Sequence, residues 1–287
     1  MGRFARSLAL AKESYAVLRS NPQLTWFPVV SSMFTILLTI SFMVPIYLSL
    51  GPKGFDDTKQ FPPAYYAVMA VFYLCNYFIV IFFNTALVTC AHSGLSGGKV
   101  TFGEGIAMAL KRLPSILGWT LIAATVGMIL QMISERSGII GKVVVALVGG
   151  AWNLITFFVI PVMVVERTSP VAAIKRSGSM LRTTWGENII GTGGLGLIFF
   201  LLAMIAIIPI VLAFALGGGL IGLVAICGAV VYWLILATLG ASLSGIYRTA
   251  LYVYAATGEV PQAYSSQAMQ EAFRQGKPNV INRLRRW

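Results

Sequence analysis

Charge is what this sequence lacks. Of its 287 residues only 10% are Asp, Glu, Lys or Arg, against about a quarter in soluble domains. With 57% hydrophobic residues and a mean hydropathy of +0.83, a soluble globular fold is excluded. Acidic residues number 9, and histidine occurs once, at His92. Such a chain offers no acid–base pair and no metal constellation, so it reads as a non-enzyme with no catalytic residue, no cofactor and no metal. Cys75, Cys90 and Cys227 have no paired spacing, which excludes a disulfide framework or a zinc site; they read as packing residues. No Asp, Glu, Lys or Arg falls at mid-depth of a predicted span. That argues against a proton pump, a carboxylate-coupled transporter or a voltage sensor.

What is there is apolar sequence in long runs. A charge at the centre of a spanning helix costs roughly 2.5 to 3.5 kcal/mol, so charge-free runs longer than about 18 residues are candidate spans. They predict six transmembrane helices, at 24–50, 64–92, 113–134, 143–165, 188–214 and 220–247. The last two share a stretch between Glu187 and Arg248 with no charge over 60 residues, and Gly217, Gly218 and Gly219 near its middle predict a tight helical hairpin. The first apolar stretch starts at Leu24, is too long for the core of a signal peptide and has no small-residue cleavage pattern after it, so it is expected to stay as a span. The predicted fold is all-α: a polytopic membrane protein with a single domain over 1–261 and a basic amphipathic tail over 262–287.

The net charge of +12 would point to nucleic acid in a soluble domain. Its placement gives another reading. With the spans numbered in order, 17 Lys and Arg fall before span one, after spans two and four, and from Arg248 onward, while only Lys53, Lys59, Arg136 and Lys142 fall on the other side. That bias predicts cytoplasmic termini and needs no nucleic-acid partner. The implied partner is membrane lipid, through anionic headgroups at the cytoplasmic face, and a homo-oligomer is compatible with the same pattern.

Three segments on the basic side are amphipathic and predict helices lying in the interface. The first carries Phe4, Leu8, Ala11, Tyr15 and Leu18 opposite Arg6, Lys12, Glu13 and Arg19. The second opens with Thr101 and Glu104 as a capping box and sets Ile106, Ala109, Leu110 and Leu113 on one face. The third opens with Ser169 and with Pro170 at the first helical position, followed by Ala173, Ile174, Ser177 and Leu181. Trp26, Trp119 and Trp185 follow in turn, where interfacial aromatics belong. The chain thus reads as three parallel units, each an interfacial helix, an outward span and an inward span.

Around these positions the chain resembles an uncharacterised family of bacterial six-span integral membrane proteins and, more loosely, the membrane domain of glycerophosphoryl diester phosphodiesterases. The residues that carry the likeness are 83–87 (Phe-Asn-Thr-Ala-Leu), 101–106 (Thr-Phe-Gly-Glu-Gly-Ile), Trp119, 174–177 (Ile-Lys-Arg-Ser), Trp185, Gly186, and 247–252 (Tyr-Arg-Thr-Ala-Leu-Tyr) with Tyr254, Ala255 and Gly258. The resemblance implies a compact six-helix bundle in a bacterial inner membrane. The phosphodiesterase's catalytic domain has no counterpart in this sequence.

Two strings imitate catalytic motifs. Residues 94–98, Gly-Leu-Ser-Gly-Gly, match a nucleophile elbow, which needs a strand before it; here an apolar helix precedes it and Lys99 follows. Residues 191–196, Gly-Thr-Gly-Gly-Leu-Gly, match a dinucleotide fingerprint, but no acidic residue follows until Glu259. Close helix packing accounts for the second string, as it does for Ala237, Gly240, Ala241 and Ser244. His92 and Cys90 are two apart and share no helical face, so His92 reads as an interfacial residue at a helix end.

The polar residues inside spans are the candidate functional set: Asn76, Asn84 and Thr85 in span two, Asn153 and Thr156 in span four. They read either as interhelical glue, worth about 0.6 kcal/mol per bond, or as a solute path, with Pro45, Pro161 and Pro209 freeing the carbonyls of Ser41, Phe157 and Ile205. In the tail, Val280, Ile281, Leu284 and Trp287 share one side with Arg283, Arg285 and Arg286 around it, a surface anchor for anionic lipid. Two functions follow: transport or permeation of a small solute or lipid, and the alternative of a non-catalytic membrane scaffold.

Overall fold

The computed structural model describes residues 3–50, 63–99, 101–185, 193–215 and 219–265. Among them there is no strand. Six helical stretches are long and apolar enough to cross a membrane: Pro22–Ser49, Ala64–Leu95, Leu113–Arg136, Ile139–Val165, Ile198–Ala215 and Gly219–Thr257. The chain is a multi-pass, all-α membrane protein. It divides into two compact units interleaved along the sequence, one of residues 1–25, 91–100 and 179–287, the other of residues 26–90 and 101–178.

The helices in chain order are α1 (Arg3–Ser20), α2 (Trp26–Leu50), α3 (Pro63–Leu95), α4 (Phe102–Lys111), α5 (Leu113–Arg136), α6 (Ile139–Ile155), α7 (Val159–Val165), α8 (Pro170–Trp185), α9 (Gly193–Ile205), α10 (Ile207–Ala215) and α11 (Gly219–Thr257). A short 3-10 turn, Pro22–Thr25, joins α1 to α2. Four of the six predicted spans are thus single helices, and two are broken. The beginning of the predicted fifth span, before Gly193, lies outside the described residues.

In the unit built on α2 to α7, aromatic pairs align α2 antiparallel to α3. Phe34 meets Phe83 at 5.8 Å between ring centroids, Phe42 meets Phe72 at 5.5 Å, and Ser49 Oγ lies 2.9 Å from the Tyr65 hydroxyl. The α4 capping box forms as expected: the Thr101 N–H donates to Glu104 Oε2 at 2.7 Å and the Glu104 N–H to Thr101 Oγ1 at 3.3 Å. Glu104 is fully exposed, and these bonds from Thr101, the backbone one first, hold its carboxyl below the usual carboxylate range. Helix α4 docks through its smallest residues. Gly105 and Ala109 are buried, Phe102 stacks on Phe27 at 4.7 Å, and a Cβ at position 105 would lie 2.5 Å from Cys90 Sγ. Met108 and Leu110 point outward, so the buried face is turned from the expected one, because close approach selects for smallness rather than hydrophobicity.

Trp119 is a second correction. It is buried against Trp152, with ring centroids 6.1 Å apart, and so packs α5 on α6 rather than marking an interface; Trp26 is exposed as expected.

The other unit centres on α1 and α11. Helix α1 buries Ser14, Val17 and Leu18 and leaves Tyr15 exposed, so its inner stripe runs through a serine that the hydrophobic pattern passed over. The predicted hairpin forms between α10 and α11, where Gly219 takes φ +54 and the Phe214 ring covers Gly222. Helix α11 continues ten residues beyond the predicted end at 247, burying Thr249, Ala250, Leu251 and Tyr252. After it the chain returns to α1: Tyr264 is buried with its hydroxyl 2.7 Å from Ser14 Oγ.

Candidate functional site

Among the described residues, polar chemistry is found in the interior of the spans, at the two broken spans, and at the junction of α1 with the segment after α11. Inside the spans, hydroxyls bond to carbonyls one turn back on their own helix. Thr85 Oγ1 donates to Ile81 O at 2.8 Å, Thr89 to Thr85 O at 2.8 Å, Thr120 to Ile116 O at 2.8 Å and Thr249 to Gly245 O at 2.7 Å. A hydroxyl satisfied this way brings no unpaired polar group to the helix surface. Asn76 and Asn84 are half-buried on α3, whereas Asn153 is exposed on α6 and does not turn into a packed interior. Among the described residues none of the three makes a side-chain hydrogen bond. Asn84 and Asn153, which lie 17 and 16 residues before Thr101 and Ser169 and so at similar places in the repeat, thus differ in burial.

Thr156 sits at a break in the fourth span, where its Oγ1 donates to Trp152 O at 2.8 Å. Helix α6 stops at Ile155 and α7 starts at Val159, two residues before Pro161. Pro161 has no N–H for the Phe157 carbonyl, and its ring crowds that carbonyl. The Phe157 N–H tightens onto Leu154 O at 3.1 Å, which is the partner Phe158 would have in an unbroken helix. The Phe158 N–H instead donates to Ser177 Oγ at 3.0 Å. Ser177, fully buried on α8, thus completes the ladder of a different helix.

The fifth span breaks similarly at Ala206, three residues before Pro209. The Ala206 N–H turns to Ala203 O at 3.3 Å, and two side chains of α11 reach the break: Tyr232 OH donates to Leu202 O at 2.9 Å and Trp233 Nε1–H to Ala203 O at 3.0 Å. Beside it, Phe199, Ala203, Trp233, Ala237 and Gly240 line an open apolar groove of about 470 Å3. Its floor is the close packing expected of the small-residue face, since a Cβ at Gly240 would lie 3.2 Å from the Phe199 ring. Pro45, by contrast, lies inside an unbroken α2.

At the junction, Ser14 and Tyr264 share their hydrogen bond while Glu13 Oε1 accepts from both the backbone N–H of Ser265, at 3.2 Å, and its hydroxyl. Burial raises the Tyr264 hydroxyl above its ordinary value near 10; the Ser14 bond opposes that shift, and the Glu13 carboxylate and Tyr247 add to it.

Sequence reasoning set Ser177 on the face of its amphipathic helix but missed its bond to the fourth span, and it missed Tyr232, Trp233, this junction, Tyr73 and Tyr77. Those two tyrosines, one turn apart on α3, share a hydroxyl–hydroxyl bond of 3.2 Å against Gly127 of α5. Their spacing of four was the available signal. The hydrolase-like string caps α3: Ser96 Oγ donates to the His92 carbonyl at 3.3 Å, Gly97 takes φ +78 and the Gly98 N–H returns to Ser93 O at 3.0 Å. Gly193 opens α9, and residues 191 and 192 of the fingerprint-like string lie outside the described residues. So do Arg283, Arg285, Arg286 and Trp287. Among the described residues no three His, Cys, Asp or Glu side chains gather as metal ligands.

No curated protein matches the chain, and the looser likeness to the phosphodiesterase membrane domain finds no support in the family match. Five of the six apolar helices, the α4 capping box and the buried Ser177 fall within residues 63–262, which match the family of unknown function (DUF6159) over more than two thirds of the sequence; the chain belongs to that family.

Proposed function

We propose that this protein is a non-catalytic scaffold of the bacterial inner membrane, with both termini cytoplasmic, whose helices α1, α4 and α8 each bind lipid or partners at the cytoplasmic face. One observation carries the reading. Helix α4 docks by Gly105 and Ala109 and leaves Met108 and Leu110 exposed beside Lys111, an arrangement suited to a helix resting on an anionic leaflet. Thr85, Thr89 and Thr120 support it as well, because their hydroxyls bond within their own helices rather than turn to an aqueous path. Transport of a small neutral solute or lipid is the second reading, favoured by the two broken spans, since interrupted helices recur where a membrane protein lines a cavity.

A spin label at Leu110→Cys, in protein freed of native thiols and reconstituted in anionic vesicles, tests the first reading. Oxygen accessibility at headgroup–acyl depth is expected, and a fully aqueous label would overturn it. Solute efflux above that of empty vesicles would move the assignment to transport.

A further inference from the structure

The fifth span, like the fourth, is held at its break by side chains where the unbroken spans use backbone. In a continuous helix Leu202 O would pair with the Ala206 N–H and Ile205 O with the N–H of residue 209. Neither bond exists: the first donor has turned to Ala203 O, and the second is absent because residue 209 is proline. In hydrocarbon such carbonyls need other donors. From α11, thirty residues away, Tyr232 supplies one to Leu202 O, and Trp233 donates beside it to Ala203 O, the carbonyl that has also taken the Ala206 N–H.

Both donors are terminal atoms of rotatable side chains, whereas the ladder they replace is fixed by the backbone. On either side of the break, aromatic-on-glycine contacts tie the flanking helices to α11: Phe199 to Gly240 from α9, and Phe214 to Gly222 from α10. The break thus lies between two fixed points, beside a groove that gives neighbouring side chains room to move, and Trp233 serves both as a wall of that groove and as a donor to the break.

We infer that Ala206 is a hinge in the fifth span and that Tyr232 and Trp233 are the latch that keeps it in one conformation. Releasing the two hydrogen bonds lets α9 and α10 change their mutual angle and alters the groove lined by Phe199 and Trp233. This device is independent of whether the protein is a scaffold or a transporter.

The test uses full-length protein in lipid nanodiscs, freed of native thiols, with spin labels at Phe200→Cys on α9 and Leu212→Cys on α10, both exposed positions, on the order of 20 Å apart at 1.5 Å per residue. With the latch intact, pulsed dipolar spectroscopy is expected to give one narrow distance. Tyr232→Phe with Trp233→Phe keeps an aromatic ring at both positions but removes both donors, and is expected to broaden the distribution or add a second, shorter distance. Adding Pro209→Ala to that pair restores a backbone donor for Ile205 O and is expected to narrow it again. Tyr232→Phe alone, which deletes one oxygen atom, serves as the milder variant and is expected to broaden the distribution partway. A narrow, unshifted distance in both the single and the double variant would overturn the hinge.

Discussion

The hydroxyls of Ser14 and Tyr264 lie 2.7 Å apart, both buried, across 250 residues of sequence. Together with Glu13 and Ser265 they fasten the first helix to the segment that follows the last one. Tyr264→Phe keeps the ring and removes the bond, and is expected to lower stability by about 1 kcal/mol, read as a drop in melting temperature in detergent.

The same tyrosine gives a pH dependence. Its hydroxyl is held above the ordinary value near 10 in the folded protein, so the folded state binds this proton more tightly than the unfolded state does. The resulting stabilisation is fully present below pH 10 and is lost as pH rises from there through the raised value. Wild type is therefore expected to lose stability above pH 10 more steeply than Tyr264→Phe. Parallel melting curves for the two proteins between pH 8 and pH 11 would count against the buried phenol.

Gly105 and Gly103 sit two residues apart on α4 with opposite surroundings. A methyl group at 105 meets Cys90 and Phe27, whereas at 103 nothing lies within 4 Å. Gly105→Ala is expected to cost about 1–3 kcal/mol by overpacking. Gly103→Ala is expected to be neutral or to stabilise by up to roughly 1 kcal/mol through helix propensity. Equal melting temperatures for the two variants would refute the close docking of α4.

Ser177→Ala leaves the Phe158 N–H without its acceptor in the fourth span, an expected loss of about 1–3 kcal/mol. In a Pro161→Ala background the helix can close its own ladder, and the loss should shrink. A double-mutant cycle on thermal stability measures the difference; strict additivity would separate Ser177 from the proline break.

Cysteine labelling checks the orientation read from the 17 basic residues on one side. In a variant without native thiols, labels at Asp57 and Gly138 are expected to react from outside the cell and labels at Gly98 and Lys175 only after permeabilisation.

Legibility in the sequence followed the range of the interaction. The six spans were readable because the cost of a charge in hydrocarbon acts residue by residue, and the Thr101–Glu104 capping box because its partners are three apart. Pro161 and Pro209 could be named as carbonyl-freeing residues from local chemistry alone. Which side chains answer those breaks could not, since Ser177, Tyr232 and Trp233 reach them only after tertiary packing. The stripe of α1 was misplaced for a related reason: a hydropathy pattern assigns serine to the outside, and only the distant Tyr264 makes Ser14 an inner residue. Trp119 shows that an aromatic near a span end becomes a core residue once a second tryptophan faces it.

Helix α11 runs 39 residues without a break, about 58 Å at 1.5 Å per residue, whereas a bilayer's hydrocarbon is about 30 Å thick. Roughly half of this rod has no hydrocarbon to occupy unless the helix tilts. Because the rod is continuous, the tilt of its embedded part and the position of its far end are a single variable. Membrane thickness, which sets tilt through hydrophobic mismatch, is therefore felt directly at the end of the helix that leads to Tyr264 and the Ser14 bond.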